Sequence, residues 1–100
     1  RRVKIDLSAG LLTIRGEQMK AEDTGEPISI GQALANQLLA TEQAEPVKVF
    51  DWCRKLTKNE PLELDKTDAE KFRKVCDGLK VSVLLKGQVI EALMDQMQAE

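Results

Sequence analysis

The chain contains no histidine and no tyrosine. Without histidine it lacks the commonest general base, the commonest metal ligand and both the Ser–His and Cys–His nucleophile pairs. Cys53 and Cys76 are the only cysteines, so a tetrahedral zinc site would have to draw on carboxylates, and no ligand spacing provides one. Gly10, Gly16, Gly25, Gly31, Gly78 and Gly87 fit neither the phosphate-cradling loop nor the dinucleotide fingerprint. No apolar run approaches the ~20 residues that cross a bilayer, and no secretory hydrophobic segment is present. An excess of one charge is missing too: residues 1–50 carry six Lys/Arg and seven Asp/Glu, residues 51–100 nine and ten. A duplex nucleic-acid binder needs a net cationic surface to release counterions, whereas the formal charge here is −2. These absences lead us to expect a protein that is not an enzyme, holds no cofactor or metal and has no membrane span. They also argue against nucleic acid as the partner.

What is present describes a globular protein. Of 100 residues, 42% are hydrophobic and 32% charged, too apolar and too balanced for a disordered chain. We expect one domain over residues 1–100. Phe50, Trp52 and Phe72 are the only aromatics, so the core has to be mainly aliphatic. Both cysteines fall on apolar faces of predicted helices and read as reduced core residues in a cytoplasmic setting. The chain begins Arg1-Arg2 without a Met, which fits either trimming or residues upstream.

The expected fold is α+β: short N-terminal β-strands or a hairpin, then about four helices, with a short strand between helices two and three. Val3, Ile5 and Leu7 alternate with Lys4 and Asp6, as do Leu12 and Ile14 with Thr13 and Arg15, the period of half-buried strands. Arg15-Gly16 supplies a turn, and Gln18–Lys20 can return as a second arm. Residues 21–26 are polar and turn-forming, an exposed loop. Ser29 and Gln32 have capping-box spacing, and Ile30, Leu34 and Leu38 make the stripe of a first helix that fades near Thr41. Gly31 lets another element come close. Pro46 suits the first turn of a second helix, with Val49, Trp52, Cys53 and Leu56 on one face and Asn59 at its end. Leu62-Glu63-Leu64 reads as a strand. Thr67 to Glu70 is a second capping box, opening a helix with the stripe Phe72, Val75, Cys76 and Leu79. Ser82 starts a fourth helix running to about Met97. Its apolar set of Val83, Leu84, Val89, Ile90, Leu93, Met94 and Met97 is wide enough for contacts on two sides.

Candidate site residues follow from these placements. Trp52 lies on an apolar stripe and reads as core; exposed, it would anchor a partner, because Trp is enriched at binding hot spots. Leu93, Met94 and Met97 either close the core or form a patch for a second copy or another protein. Arg54, Lys55 and Lys58 on helix two, with Lys71, Arg73 and Lys74 on helix three, could bind an anion if they faced one way. Interleaved acids make a solvated face the plainer reading. Asp65 and Asp68 begin helix three, where the helix dipole favours acids. Glu22, Asp23 and Glu26 lie in the polar loop, and nothing nearby would perturb either carboxylate group.

The order of segments resembles a group of small proteins encoded by tailed bacteriophages and prophages. The residues that carry the likeness are Lys4-Ile5-Asp6-Leu7, Leu11-Leu12-Thr13-Ile14-Arg15-Gly16-Glu17, Ile28-Ser29-Ile30-Gly31 with Leu34-Ala35-Asn36, Leu62-Glu63-Leu64-Asp65 and Lys86-Gly87-Gln88-Val89-Ile90-Glu91. They are fold-type motifs spread over nearly the whole chain, and no active residue comes with them. The resemblance implies a bacterial cytoplasmic setting and an accessory protein that binds a phage or host protein, as an assembly factor, an adaptor or an inhibitor of host machinery. The alternative is a small nucleic-acid-binding regulator using the basic groups of helices two and three.

Overall fold

A computed structural model describes residues 2–98, with side chains described for residues 2–96. The fold is α+β, with six elements in the order β1 (Arg2–Ile5), α1 (Ile30–Leu39), α2 (Pro46–Thr57), β2 (Leu62–Asp65), α3 (Lys66–Asp77) and α4 (Val83–Gln98). Alternation decides the inward face of both strands: Val3 and Ile5 on β1, Leu62 and Leu64 on β2, are buried. The strands pair antiparallel with Val3 opposite Leu64 and Ile5 opposite Leu62. Thus β1 finds its partner in the far half of the chain, and four inward aliphatic side chains floor the core.

Helix α1 begins with its orphan N–H groups satisfied. Ile30 N and Gly31 N donate to Ala9 O and Leu7 O at 2.9 and 2.8 Å, and Gln32 N donates to Ser29 Oγ at 3.0 Å. The Gln32 side chain returns to Ser29 N, completing the expected capping box. Gly31 lies against Leu7: a Cβ there would sit 3.1 Å from Leu7 O and 3.3 Å from a Leu56 methyl. Glycine thus lets the Leu7 backbone approach α1 closely, and a larger residue would make it shift by a few tenths of an ångström.

Helix α2 opens with Pro46 in its first turn and buries Val49, Trp52, Cys53 and Leu56. It ends at Asn59, held at φ 60. Asn59 N bonds Leu56 O at 3.1 Å and Glu60 N bonds Lys55 O at 2.9 Å, the paired bonds of a Schellman motif. Asn59 Oδ1 also accepts from Ser29 Oγ at 2.6 Å, tying the end of α2 to the start of α1.

Two helix details depart from the sequence reading. The cap of α3 is Asp65, whose Oδ1 accepts from Asp68 N at 2.7 Å, and not the Thr67–Glu70 pair. With Leu64 fixed inward in β2, the chain turns at the next residue and Asp65 meets the first free N–H groups. In α4 the inward row is Leu85, Val89 and Leu93, while Val83 points to solvent. Ser82 does start this helix, its Oγ accepting from Leu85 N at 3.3 Å. Lys86 Nζ reaches Asp77 O at 2.5 Å and covers the carbonyl end of α3.

Between β1 and α1, three segments close on one another. Leu11 N donates to Ile28 O, Ile28 N to Met19 O and Met19 N to Leu11 O, at 2.9, 3.0 and 2.9 Å. The Gln18 amide nitrogen lies within 3.2 Å of all three carbonyls, Leu11 O, Met19 O and Ile28 O. The second arm expected at Gln18–Lys20 is present, through the bridge Leu12–Gln18, and Lys20–Pro27 and Gly10–Ser29 add the third segment. A Cβ at Gly10 would meet the Gln18 amide, so a side chain there would displace that amide from its place among the three carbonyls.

Candidate functional site

The two sides of one groove carry the most exposed aliphatic side chains of the described residues. Ile14 and Val83 are 91% and 88% exposed, and both line a groove of about 920 Å³ with Leu12, Leu84 and Gly87. The turn explains Ile14. Thr13 N bonds Glu17 O at 2.7 Å and Gly16 N bonds Thr13 O at 2.9 Å, with Gly16 at φ 87. The turn therefore starts at Thr13, and Ile14 sits at its tip rather than in a half-buried strand. Gln88 holds this arm against α4: its Oε1 accepts from Leu12 N at 2.9 Å and its Nε2 donates to Leu12 O at 2.8 Å. Two turns along, Gln96 grips Asp6 in the same manner, Oε1 to Asp6 N at 2.5 Å and Nε2 to Asp6 O at 2.7 Å. Each glutamine supplies the donor and acceptor that a neighbouring strand would have offered. Gly87 has nothing within 4 Å of a would-be Cβ, so the groove wall beside Val83 is open.

The residues expected to bind a partner separate into buried and exposed sets. Trp52 is buried, edge-on to Phe72 with ring centroids 5.2 Å apart and planes at 89°. That agrees with the reading of Trp52 as core and removes its conditional role as a partner anchor: its stripe faces the core and Phe72 covers its ring. Leu93 is fully buried and closes the core, so it is no surface residue either. Met94 is exposed on α4. The Met97 side chain lies outside the described residues. The apolar residues that the sequence reading missed are Val47 and Phe50 on the outer face of α2, and Leu39 at the end of α1. Spacing could have found the first two, since Val47, Phe50 and Arg54 recur at i, i+3 and i+7 opposite the core stripe.

Of the six basic residues, Lys71 lies apart from the three on α2. Lys71 bonds Glu45 at 3.5 Å and Arg73 lies 3.9 Å from Asp77. Glu45 stands before the first turn of α2, whereas Arg54, Lys55 and Lys58 occupy its last turns and cap, roughly 15–20 Å further along the axis. Arg54 stacks over the Phe50 ring at 4.6 Å. Lys74 is exposed in the last turn of α3. Lys48, outside the expected set, bonds Asp68 at 2.8 Å and links α2 to α3. This bond holds the Asp68 carboxyl below its ordinary 3.8 and the Lys48 amine above its ordinary 10.5. Asp68 therefore has a perturbing neighbour that the sequence did not lead us to expect, while Asp65 is committed to capping α3.

Nucleophile chemistry finds little support in the two thiols. Cys53 and Cys76 are free and buried. Burial, with the Asp77 charge adding to it, pushes the Cys76 thiol up to about 12, the direction opposite to activation. Among the described residues no three His, Cys, Asp or Glu side chains converge on a metal-sized site, and no helix is long and apolar enough to cross a membrane. No protein-family model matches this chain, and no curated protein or solved structure is significantly similar to it.

Proposed function

We propose that this chain is a phage or prophage accessory protein that acts in the bacterial cytoplasm by binding another protein, without catalysis. One observation carries the binding reading: Ile14 and Val83, two β-branched aliphatic residues almost wholly in water, line the same apolar groove. Single exposed apolar residues are ordinary, but a contiguous cluster on a shaped surface marks an interaction site. The groove is also held in shape, by the pair of hydrogen bonds between Gln88 and Leu12 on one side and the first turn of α4 on the other. A preformed surface loses less entropy when a partner docks. The phage origin rests on the sequence resemblance.

The test is affinity capture with the tagged chain from bacterial lysate, with and without phage infection, beside the double variant Ile14→Asp, Val83→Asp. Wild type retaining a stoichiometric protein that the variant loses supports the reading. A host protein would make the chain an inhibitor or adaptor, and a phage structural protein would make it an assembly factor. Equal capture by both proteins removes the groove as the site, and the absence of any stoichiometric partner removes the function.

A further inference from the structure

Nothing among the described residues calls for glycine at position 87. Gly87 stands inside α4 with helical backbone, away from the positive φ that glycine tolerates best. Gly10 and Gly31 each make room for a neighbour, whereas a Cβ at Gly87 would meet nothing within 4 Å. Alanine is favoured over glycine in a helix interior, so position 87 weakens α4 without a packing gain inside the chain. Val83, Gly87, Glu91 and Asp95 recur at four-residue spacing, and all four line the groove that holds Ile14. The bare backbone in this row leaves space for another main chain to come close. The charge lining the groove is of one sign. Glu91 and Asp95 are exposed there, and no Lys or Arg of the described residues lines it. Arg15 beside Ile14, and Lys80 and Lys86 on either side of Val83, lie outside the lining. Lys86 is turned to α3, where it bonds Asp77 O. No ion pair within 4.0 Å engages Glu91 or Asp95 among the described residues. The two acids lie about 12 and 18 Å along the helix axis from Val83. The groove is therefore aliphatic at one end and anionic at the other.

We propose that this groove docks a basic amphipathic helix of a partner protein, its aliphatic side chains on Ile14, Val83 and Leu84, its backbone crossing α4 at Gly87, and its Lys or Arg on Glu91 and Asp95. The inference rests on the groove reading proposed above and names the chemistry of the occupant. Charge complementarity selects it. An acidic segment would meet like charge at both carboxylates, and a neutral one would leave their attraction unused. Nucleic acid is disfavoured for the same reason, since its phosphates need cations that the groove does not offer. A helix fits better than an added strand. Pairing with the 12–16 arm would need its edge toward α4, and there Leu12 N and O are both taken by Gln88. A helix arrives with its own backbone bonds made, and the missing side chain at Gly87 lets it pack close to α4.

The experiment selects helical peptides from a random display library against the whole chain, then measures binding of a labelled winner by anisotropy. Expected are peptides with apolar residues at helical spacing and Lys or Arg clustered toward one end. Their affinity should fall about tenfold or more in Glu91→Lys, Asp95→Lys and in Gly87→Gln, and wild-type binding should weaken in about 0.5 M salt, where surface pairs are screened. Binding should be lost in Ile14→Asp, Val83→Asp. Gly87→Gln should melt no lower than wild type, because glutamine is the better helix former, so its weaker binding is not a loss of fold. Circular dichroism confirms that the other variants are folded. Selection of acidic or neutral peptides, selection of none, or affinity indifferent to Glu91→Lys, Asp95→Lys or to Gly87→Gln overturns the proposal. So does a wild-type dimer that Gly87→Gln dissociates, which would make a second copy the occupant. Partner capture that Ile14→Asp, Val83→Asp abolishes, with no basic peptide selected, would end this inference and leave the groove reading standing. Capture and peptide binding both indifferent to that variant would end the two together.

Discussion

Two residues with no part in the apolar core hold this fold's least regular region. Gln18 places one amide nitrogen within reach of three carbonyls from three segments, so it links the closed ring of Leu11, Met19 and Ile28 at its centre. A net hydrogen bond contributes about 0.5–1.5 kcal/mol, and an amide has only two hydrogens for the three acceptors. Gln18→Ala should therefore lower unfolding free energy by about 1–2 kcal/mol in urea; an unchanged midpoint would mean that backbone bonds alone close the ring. Gly31 is the second case. Alanine favours a helix interior over glycine by about 1 kcal/mol, yet the added Cβ would crowd Leu7 O and Leu56. Leu7 O is backbone already bonded to Gly31 N and has little room to give. Gly31→Ala should reduce stability despite its helix propensity, and a raised melting temperature would show that the Leu7 segment yields.

At the scale of elements, α4 acts as a surrogate strand edge. Gln88 and Gln96 lie eight residues apart and grip Leu12 and Asp6, two extended residues that have no strand beside them there. The bonds lie at the surface, so their loss should loosen the N-terminal segment without unfolding the domain. In Gln88→Ala, Gln96→Ala the Leu12 and Asp6 amides should exchange with solvent at least about tenfold faster, while amides of β1 and α3 keep their protection. Acceleration throughout the protein would instead give the glutamines a global role. Retained protection at Leu12 and Asp6 would mean the clamps are not formed in solution. The second link between elements, Lys48 to Asp68, ties α2 to the first turn of α3, where Asp65 already caps the helix.

For the whole molecule, which has no histidine, the shifted groups act on opposite limbs of the pH profile of stability: Asp6 and Asp68 on the acid side, Lys48, Cys53 and Cys76 on the alkaline side. Asp68 is held below its ordinary 3.8 by Lys48, so its contribution is present above that value and is lost as pH falls through the depressed folded value. Cys76 is raised from 9.0 to about 12, so the reverse holds: its contribution is complete below pH 9.0 and is lost as pH rises toward 12. Unfolding by denaturant from acid to alkaline pH should show a plateau near neutrality with a decline on each side. Lys48→Met should flatten part of the acid limb, and Cys76→Ala part of the alkaline limb. Limbs unchanged in these variants would assign the declines to other groups.

How much of this was legible in the sequence depended on range. Ser29 with Gln32, Pro46, Asn59, Ser82 and the stripes of α1, α2 and α3 act within one or two helical turns, and the sequence by itself determined them. The same local logic marked Leu62–Leu64 as a strand and gave the α+β class. Tertiary structure decided which apolar residues stay outside. Ile14 and Val83 match the strand and helix patterns as well as Leu11 and Leu85 do, yet they remain in water because the turn begins at Thr13 and the α4 row Leu85–Val89–Leu93 is the one buried where α4 packs on β1, α1 and α3. Trp52 follows the α2 stripe inward, and tertiary structure supplies the partner for its ring, Phe72, twenty positions away. The pairing of β1 with β2 and the closed ring around Gln18 join segments whose separation no periodicity encodes. Local patterns fix what a segment can be, because capping and side-chain period are energies of adjacent residues. Burial is a property of what other segments cover, and the surface proposed here for binding exists only where that cover stops.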